Sequence, residues 1–280
     1  MRTIPASDIF LAAEKLIQSA NFVLPEEIQK KIRKAEGEEE NASAKLALQT
    51  IIQNAKQASE RQLPLCQDTG TAVFFVEIGM GVVLEEPIFE TLKRAVSESY
   101  TKYRLRASIV FDPLFDRRNT KDNTPPLLHL EQVLGENIRI TFLPKGGGAE
   151  NKSTLTMLRP ADGEEGVVKT VLETAKKAGG TSCPPWILGI GIGGTFDSVA
   201  VLAKRALFCP SKDVDSDARY TALEKRITRE VNALKIGTMG FGGNTTVLST
   251  HIEYAPTHMA SLPVAINIQC HSARSAEILL

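Results

Sequence analysis

The sequence predicts an α/β (α+β) fold that opens on a helical segment, and three observations carry that reading. Apolar residues recur at helical spacing across residues 7 to 60. After Pro64 the texture changes to short apolar runs of strand length that alternate with helical patterns. No low-complexity linker interrupts the alternation, and 280 residues with 42% hydrophobic and 24% charged side chains suffice for a sizeable core.

The elements are expected in this order. Ser7 is a candidate cap for a first helix whose apolar stripe includes Phe10, Leu11, Leu16 and Ile17. Pro25 stands at a first-turn position ahead of Glu26 and Glu27, and Ser43 opens a third helix that buries Leu48, Ile51, Ile52 and Ala55. A strand follows from Thr71 through AVFFVEIG, then a helix from Pro87 to about Tyr103. Residues 112 to 126 form a polar, proline-flanked loop, long enough to suggest a lid or a partner contact. Further strands are expected at Ile138–Leu143, Thr154–Leu158, Trp186–Ile190, Thr245–His251 and Val264–Ile268, and helices at Glu164–Lys177, Phe196–Leu207 and Arg219–Lys235.

Composition removes several functions. Lys and Arg number 33, as do Asp and Glu, so the formal charge is zero and the basic excess of a nucleic-acid binder is missing. Any anionic partner must meet a local cluster of cations. The N-terminus carries Asp8 and Glu14 where a signal peptide needs an unbroken apolar run, so it reads as the first helix of the mature protein. The longest uncharged stretch, Ala178 to Phe196, holds six glycines and two prolines, which a lipid-exposed helix would not carry. Four scattered cysteines without a C-x-x-C pair argue against a disulfide scaffold, and a reducing cytoplasm is the default location.

Fifteen of the 20 glycines lie between Gly146 and Gly243, next to strand candidates, so the second half is expected to build a site. Gly189-Ile-Gly191-Ile-Gly193-Gly194 fits the dinucleotide fingerprint and raises an NAD-dependent oxidoreductase as a rival. The acidic residue that should end a second strand is replaced by a polar loop with Asp213 and Asp215, so tight strand-to-helix packing accounts better for these glycines. Lys145-Gly-Gly-Gly148-Ala-Glu-Asn-Lys152-Ser153 lacks the Gly-Lys-Ser/Thr ending of a P-loop; an anion-binding nest and a plain tight turn both fit it. Among the cysteines, Cys209 reads as a small buried hydrophobe. Cys66, Cys183 and Cys270 stand instead at strand edges or turns beside polar groups, and their wide separation means any shared site is assembled by the fold.

The segments CQDTGT, KGGGAENKS, SCPPWILGIGIGGTFDSVAVLAKRAL, GFGGNTTVLSTHIE and HMASLPVAINIQCHSARS together resemble the α-type domain of the iron-sulfur hydro-lyases, the class I fumarases and L(+)-tartrate dehydratase. The likeness is colinear from about the third helix to the C-terminus. It implies mixed sheets with packed helices after the helical segment, in one catalytic domain spanning residues 1–280. Within that domain residues 1–62 would be the helical segment and residues 63–280 the cluster-binding α/β region. The likeness also implies a 4Fe-4S cluster held by Cys66, Cys183 and Cys270. Three thiolates leave one iron open for Lewis-acid work, whereas Cys209 as a fourth ligand would close the cluster for electron transfer; the family's motifs match only the other three.

The same resemblance implies that Gln67 and Asp68 face the substrate, Asp68 assisting proton abstraction; an Asx-turn or helix cap would suit D-T-G equally. Arg106 matches a carboxylate-binding arginine, Gly147 and Gly148 would bring backbone amides to a dicarboxylate, and His258 matches an active-site histidine. In single-chain fumarases a β-type domain follows. This chain ends at Leu280, so it is expected to be the α subunit of a hetero-oligomer such as a heterotetramer, with a β subunit carrying the rest of the site. KGGGAENKS is more similar to the fumarase version of that segment, which favours fumarate hydration to (S)-malate, with L(+)-tartrate dehydration as the alternative.

Overall fold

The structure is a computed structural model that describes residues 1–208 and 217–280. Cys209, Asp213 and Asp215, on which the sequence reading touches, lie outside the described residues. In chain order the elements are β1 (Arg2–Ile4), α1 (Ala6–Phe22), α2 (Glu26–Glu38), α3 (Ala42–Arg61), β2 (Thr71–Gly79), β3 (Val82–Leu84) and α4 (Ile88–Lys102). Then come β4 (Leu127–Val133), β5 (Ile138–Lys145), α5 (Gly147–Glu150), β6 (Thr154–Leu158), α6 (Gly163–Ala178), β7 (Trp186–Gly194) and α7 (Ser198–Arg205). The last are α8 (Ala218–Ala233), β8 (Val247–Thr257), β9 (Leu262–Gln269) and β10 (Ala276–Leu279). Helices and mixed sheets are thus present as the sequence predicts. No helix among the described residues is long and apolar enough to cross a membrane.

These elements form two compact units, residues 1–25, 54–147 and 274–280 in the first and residues 26–53 and 148–273 in the second. The first unit is built on a four-stranded sheet in the order β10-β5-β2-β4. Strand β5 is antiparallel to both β2 and β10, while β4 runs parallel to β2. Alternation along β2 sends Ala72, Phe74 and Val76 into a core shared with Ile138, Ile140 and Phe142 of β5, and the apolar stripes of α1 and α4 close it. Each such fully buried Phe, Ile or Leu contributes on the order of 1.5–3 kcal/mol. On the opposite face of β2, Phe75 meets His129 of β4 with ring centroids 4.5 Å apart.

The second unit is built on the sheet β6-β9-β7-β8, in which β9 is antiparallel to β6 and β7 and β8 is parallel to β7. Helices α6 and α8 cover one face, burying Val167, Val171, Ile227 and Val231 against Trp186, Leu188 and Ile190. Helix α7 covers the other with Val199 and Ala203 on Ala265. Strand β7 shows why the sequence alternates glycine there. A Cβ on Gly189 would stand 2.1 Å from the Ala203 carbonyl oxygen, and one on Gly191 would stand 2.2 Å from that of Val199. With every second side chain missing, α7 lies directly on the strand. The fingerprint is therefore a packing surface inside β7, four residues longer than the strand expected at Trp186–Ile190.

Two helix starts also differ from expectation. Pro5, whose fixed φ suits a helix entry, precedes α1, and Ser7 lies inside the helix with no capping bond. Asn41, not Ser43, caps α3: its Oδ1 accepts from the Ser43 and Ala44 N–H groups at 3.0 and 3.1 Å.

Candidate active site

In the first unit the segment leading to β2 is a tight turn, Cys66 to Gly70, rich in local hydrogen bonds. Cys66 is a reduced, half-buried thiol, and its Sγ donates to Gln67 Oε1 at 3.4 Å; Gln67 itself is exposed. The Asp68 carboxylate accepts two backbone N–H bonds, from Gly70 to Oδ1 at 3.1 Å and from Gly147 to Oδ2 at 2.8 Å. The first is the Asx-turn that the D-T-G sequence suggested, and it coexists with the tie to the glycine segment. Gly70 has φ +69°, and a Cβ there would lie 2.5 Å from the Lys145 carbonyl, so this turn and the end of β5 touch backbone to backbone.

Thr69 is buried and its hydroxyl donates to the Arg106 carbonyl at 2.8 Å, which fixes the main chain of that arginine beside the turn. The Arg106 side chain is exposed and forms no ion pair among the described residues, so its fork remains available to a carboxylate. Gly147, by contrast, already spends its N–H on Asp68. Gly148 is exposed with open space where a Cβ would stand.

The second unit brings two of the cysteines into one network. Cys183 adopts a left-handed conformation, φ 53° and ψ 64°, at the end of the 3-10 turn Gly179–Ser182. Its N–H donates to the Gly180 carbonyl at 3.2 Å, and its own carbonyl accepts from the N–H of His271, the residue after Cys270, at 3.1 Å. The turn is braced by Met239, whose N–H donates to the Pro184 carbonyl at 2.9 Å, and by a backbone contact in which a Cβ on Gly180 would come 2.9 Å from Gly240 Cα. Cys183 and Cys270 are both half-buried thiols outside any disulfide.

Side chains of KGGGAENKS serve this unit in a way the sequence did not disclose. Glu150 pairs with Lys204 of α7, and Glu150 Oε2 and Ser153 Oγ each accept from Asn267 Nδ2 of β9 at 2.9 Å. Only the ladder register brings these distant positions together; an isolated Asn in an apolar strand was the available signal. Lys145, a candidate cation for a nest, is instead a buried side chain of the first unit.

His258 lies exposed in the loop between β8 and β9, and its Nδ1 accepts from the Ala260 N–H at 3.1 Å, which leaves Nε2 to carry the proton of a neutral ring. It lines a cavity of about 510 Å³ together with Tyr220, Leu223, Val167 and Met259. Its carbonyl accepts the Ser261 N–H at 2.9 Å, so both bonds tie it to its own loop.

The donor chemistry fits an iron-sulfur cluster. Among the described residues no three His, Cys, Asp or Glu side chains gather as they would around a single metal ion. A cubane asks for something else, a soft thiolate for each iron that the protein ligates, and Cys66, Cys183 and Cys270 are three partly accessible thiols outside any disulfide.

Partly buried thiols on polar turns, a fixed carboxylate and an open arginine are compatible with hydro-lyase chemistry, and comparison with known proteins shows that class. The chain belongs to the fumarate hydratase (Fumerase) family, which it matches over residues 11–279. It is 42% identical to the putative L(+)-tartrate dehydratase subunit alpha of Methanocaldococcus jannaschii, with 94% of each chain covered. It is also 31% identical to the L(+)-tartrate dehydratase subunit alpha of Escherichia coli K12, over 92% of this chain and 86% of that one.

Proposed function

We propose that this chain is the α subunit of a two-subunit class I fumarate hydratase that interconverts fumarate and (S)-malate. The observation that carries the reading is the family match over residues 11–279, which includes all three cysteine motifs and the Asp68 turn. In this reading Cys66, Cys183 and Cys270 would hold a 4Fe-4S cluster, which would supply Lewis-acid chemistry toward the substrate hydroxyl.

The chain's own residues do the rest. Arg106 grips one substrate carboxylate through its unpaired guanidinium fork, and Gln67 and the Gly147–Gly148 backbone border the same substrate. Asp68 takes the proton from the carbon next to the carbinol, at the second lone pair of a carboxylate oxygen. The Gly70 and Gly147 N–H groups occupy the first lone pairs and so fix the direction in which that oxygen faces. His258 Nε2 donates to the hydroxyl or to a carboxylate.

The relatives are named as alpha subunits, which supports a β-type partner supplying further substrate groups in a hetero-oligomer such as a heterotetramer. A reducing cytoplasm is the setting in which three reduced thiols keep such a cluster. L(+)-tartrate dehydration is the second reading, favoured by the names of the same relatives. Tartrate carries one hydroxyl more than malate, and a site built to bond that hydroxyl rejects the analogue without it by orders of magnitude.

The test is anaerobic reconstitution of the complex with iron and sulfide, followed by kcat/KM for (S)-malate and for L(+)-tartrate. Turnover that depends on the cluster and favours malate is expected. A preference for tartrate establishes the second reading, and full activity of a cluster-free complex overturns both.

A further inference from the structure

The Cys66–Gly70 turn is gripped from inside the first unit by three buried side chains. Arg274 Nη2 donates to the Asp68 carbonyl, the Tyr100 hydroxyl to the Thr69 carbonyl at 3.0 Å, and Asn123 Nδ2 to the Gly70 carbonyl at 3.0 Å. Three successive carbonyls are thus each taken by a different donor. Tyr100 and Asn123 are satisfied in doing so; Asn123 Oδ1 also accepts the Ser108 N–H at 2.7 Å.

Arg274 differs. It is 2% exposed, its Nε and Nη1 are buried without a hydrogen-bond partner, and among the described residues it forms no ion pair. A guanidinium held that way is costly, and an apolar side chain of similar volume would cost the fold less. A neutral amide, the solution adopted at Gly70, would also suffice for one bond to a carbonyl. Burial pushes the Tyr100 phenol above its usual range, against the lowering effect of the Arg274 charge.

We propose that Arg274 is a positioning residue for Asp68: through its bond to the Asp68 carbonyl it fixes the main chain of the proton-transfer residue. The inference rests on the reading of Asp68 given above. With the carbonyl held by Arg274 and the carboxylate held by the Gly70 and Gly147 N–H groups, the residue is constrained at both ends and presents one orientation. A misplacement near 1 Å costs roughly 100-fold in rate when geometry is what the site supplies.

The experiment compares Arg274→Met, Arg274→Lys and Asp68→Asn in the reconstituted α–β complex, measuring iron and sulfide content, melting temperature, and kcat and KM for malate. For R274M the expected result is unchanged iron content, a melting temperature not lower than wild type, a KM within about twofold, and kcat down roughly 100-fold. R274K keeps the charge and is expected to recover roughly tenfold of that loss. A fall in kcat that only tracks lost iron, a raised KM at unchanged kcat, or wild-type activity overturns the proposal. If R274M does not fold, R274K alone decides: reduced kcat at full iron content supports the proposal, and full activity or loss in step with iron overturns it. Activity in D68N would refute the reading of Asp68 itself. An inactive D68N beside a fully active R274M would remove only the role of Arg274.

Discussion

At the scale of single residues, backbone contact governs the candidate site. Gly70 sits at φ +69° with the Lys145 carbonyl 2.5 Å from where its Cβ would be, so Gly70→Ala combines a strained conformation with a steric clash. The expected cost is about 2–4 kcal/mol, seen as a lower urea midpoint at unchanged slope. A midpoint equal to wild type would show that the turn can yield. Residue identities near the cysteines were legible because D-T-G and the glycine triplet are turn chemistry with a local signature. Arg274 was not. An arginine beside a cysteine motif reads as one more surface cation, and only its 2% exposure and its bond to the Asp68 carbonyl distinguish it. The left-handed backbone of Cys183 was equally hidden, since the contacts around it, His271 N–H on its own carbonyl and Met239 N–H on that of Pro184, come from residues distant in sequence.

At the scale of elements, periodicity found the long helices and the central strands, because their burial pattern is what periodicity measures. It missed β1, β3 and β10, which are three or four residues long, and β4, whose residues are mostly half-buried or exposed. It also cut β7 short, since glycine is ordinarily a breaker of strands. Here the glycines are what the strand needs in order to accept α7. Gly191→Ala would drive a Cβ to 2.2 Å from the Val199 carbonyl oxygen, and the helix must lift to admit it. The expected loss is about 2–4 kcal/mol, with faster amide exchange in α7 than in α6. Exchange raised equally in both helices would mean that α7 does not answer to that strand face. Were the motif a dinucleotide loop, the same variant would first lose affinity for NAD(H).

At the scale of the whole molecule, zero formal charge has a physical consequence beyond excluding polyanions: near neutral pH little electrostatic repulsion keeps copies apart. The first unit meanwhile displays Phe111, Leu114 and Phe115 at 71%, 71% and 89% exposure. The loop that carries them is ordered by Asp112, whose Oδ1 accepts the Leu114, Phe115 and Asp116 N–H groups. The Phe115 and Leu114 bonds hold the Asp112 carboxyl below its ordinary range. A depressed folded-state value makes this contribution fully present above the ordinary carboxylate pKa and removes it only as pH falls through the lower value. Between pH 6 and 9 (roughly) the loop therefore keeps its form while the net charge of the chain moves through zero. Light scattering of the separately purified chain is expected to rise near pH 7 and to fall on either side. Replacing Phe111 and Phe115 with serine should suppress the rise without lowering the melting temperature, because neither side chain is buried in the fold. Scattering that stays flat across that range, or a peak that survives both substitutions, would show that charge balance and this apolar loop do not control association.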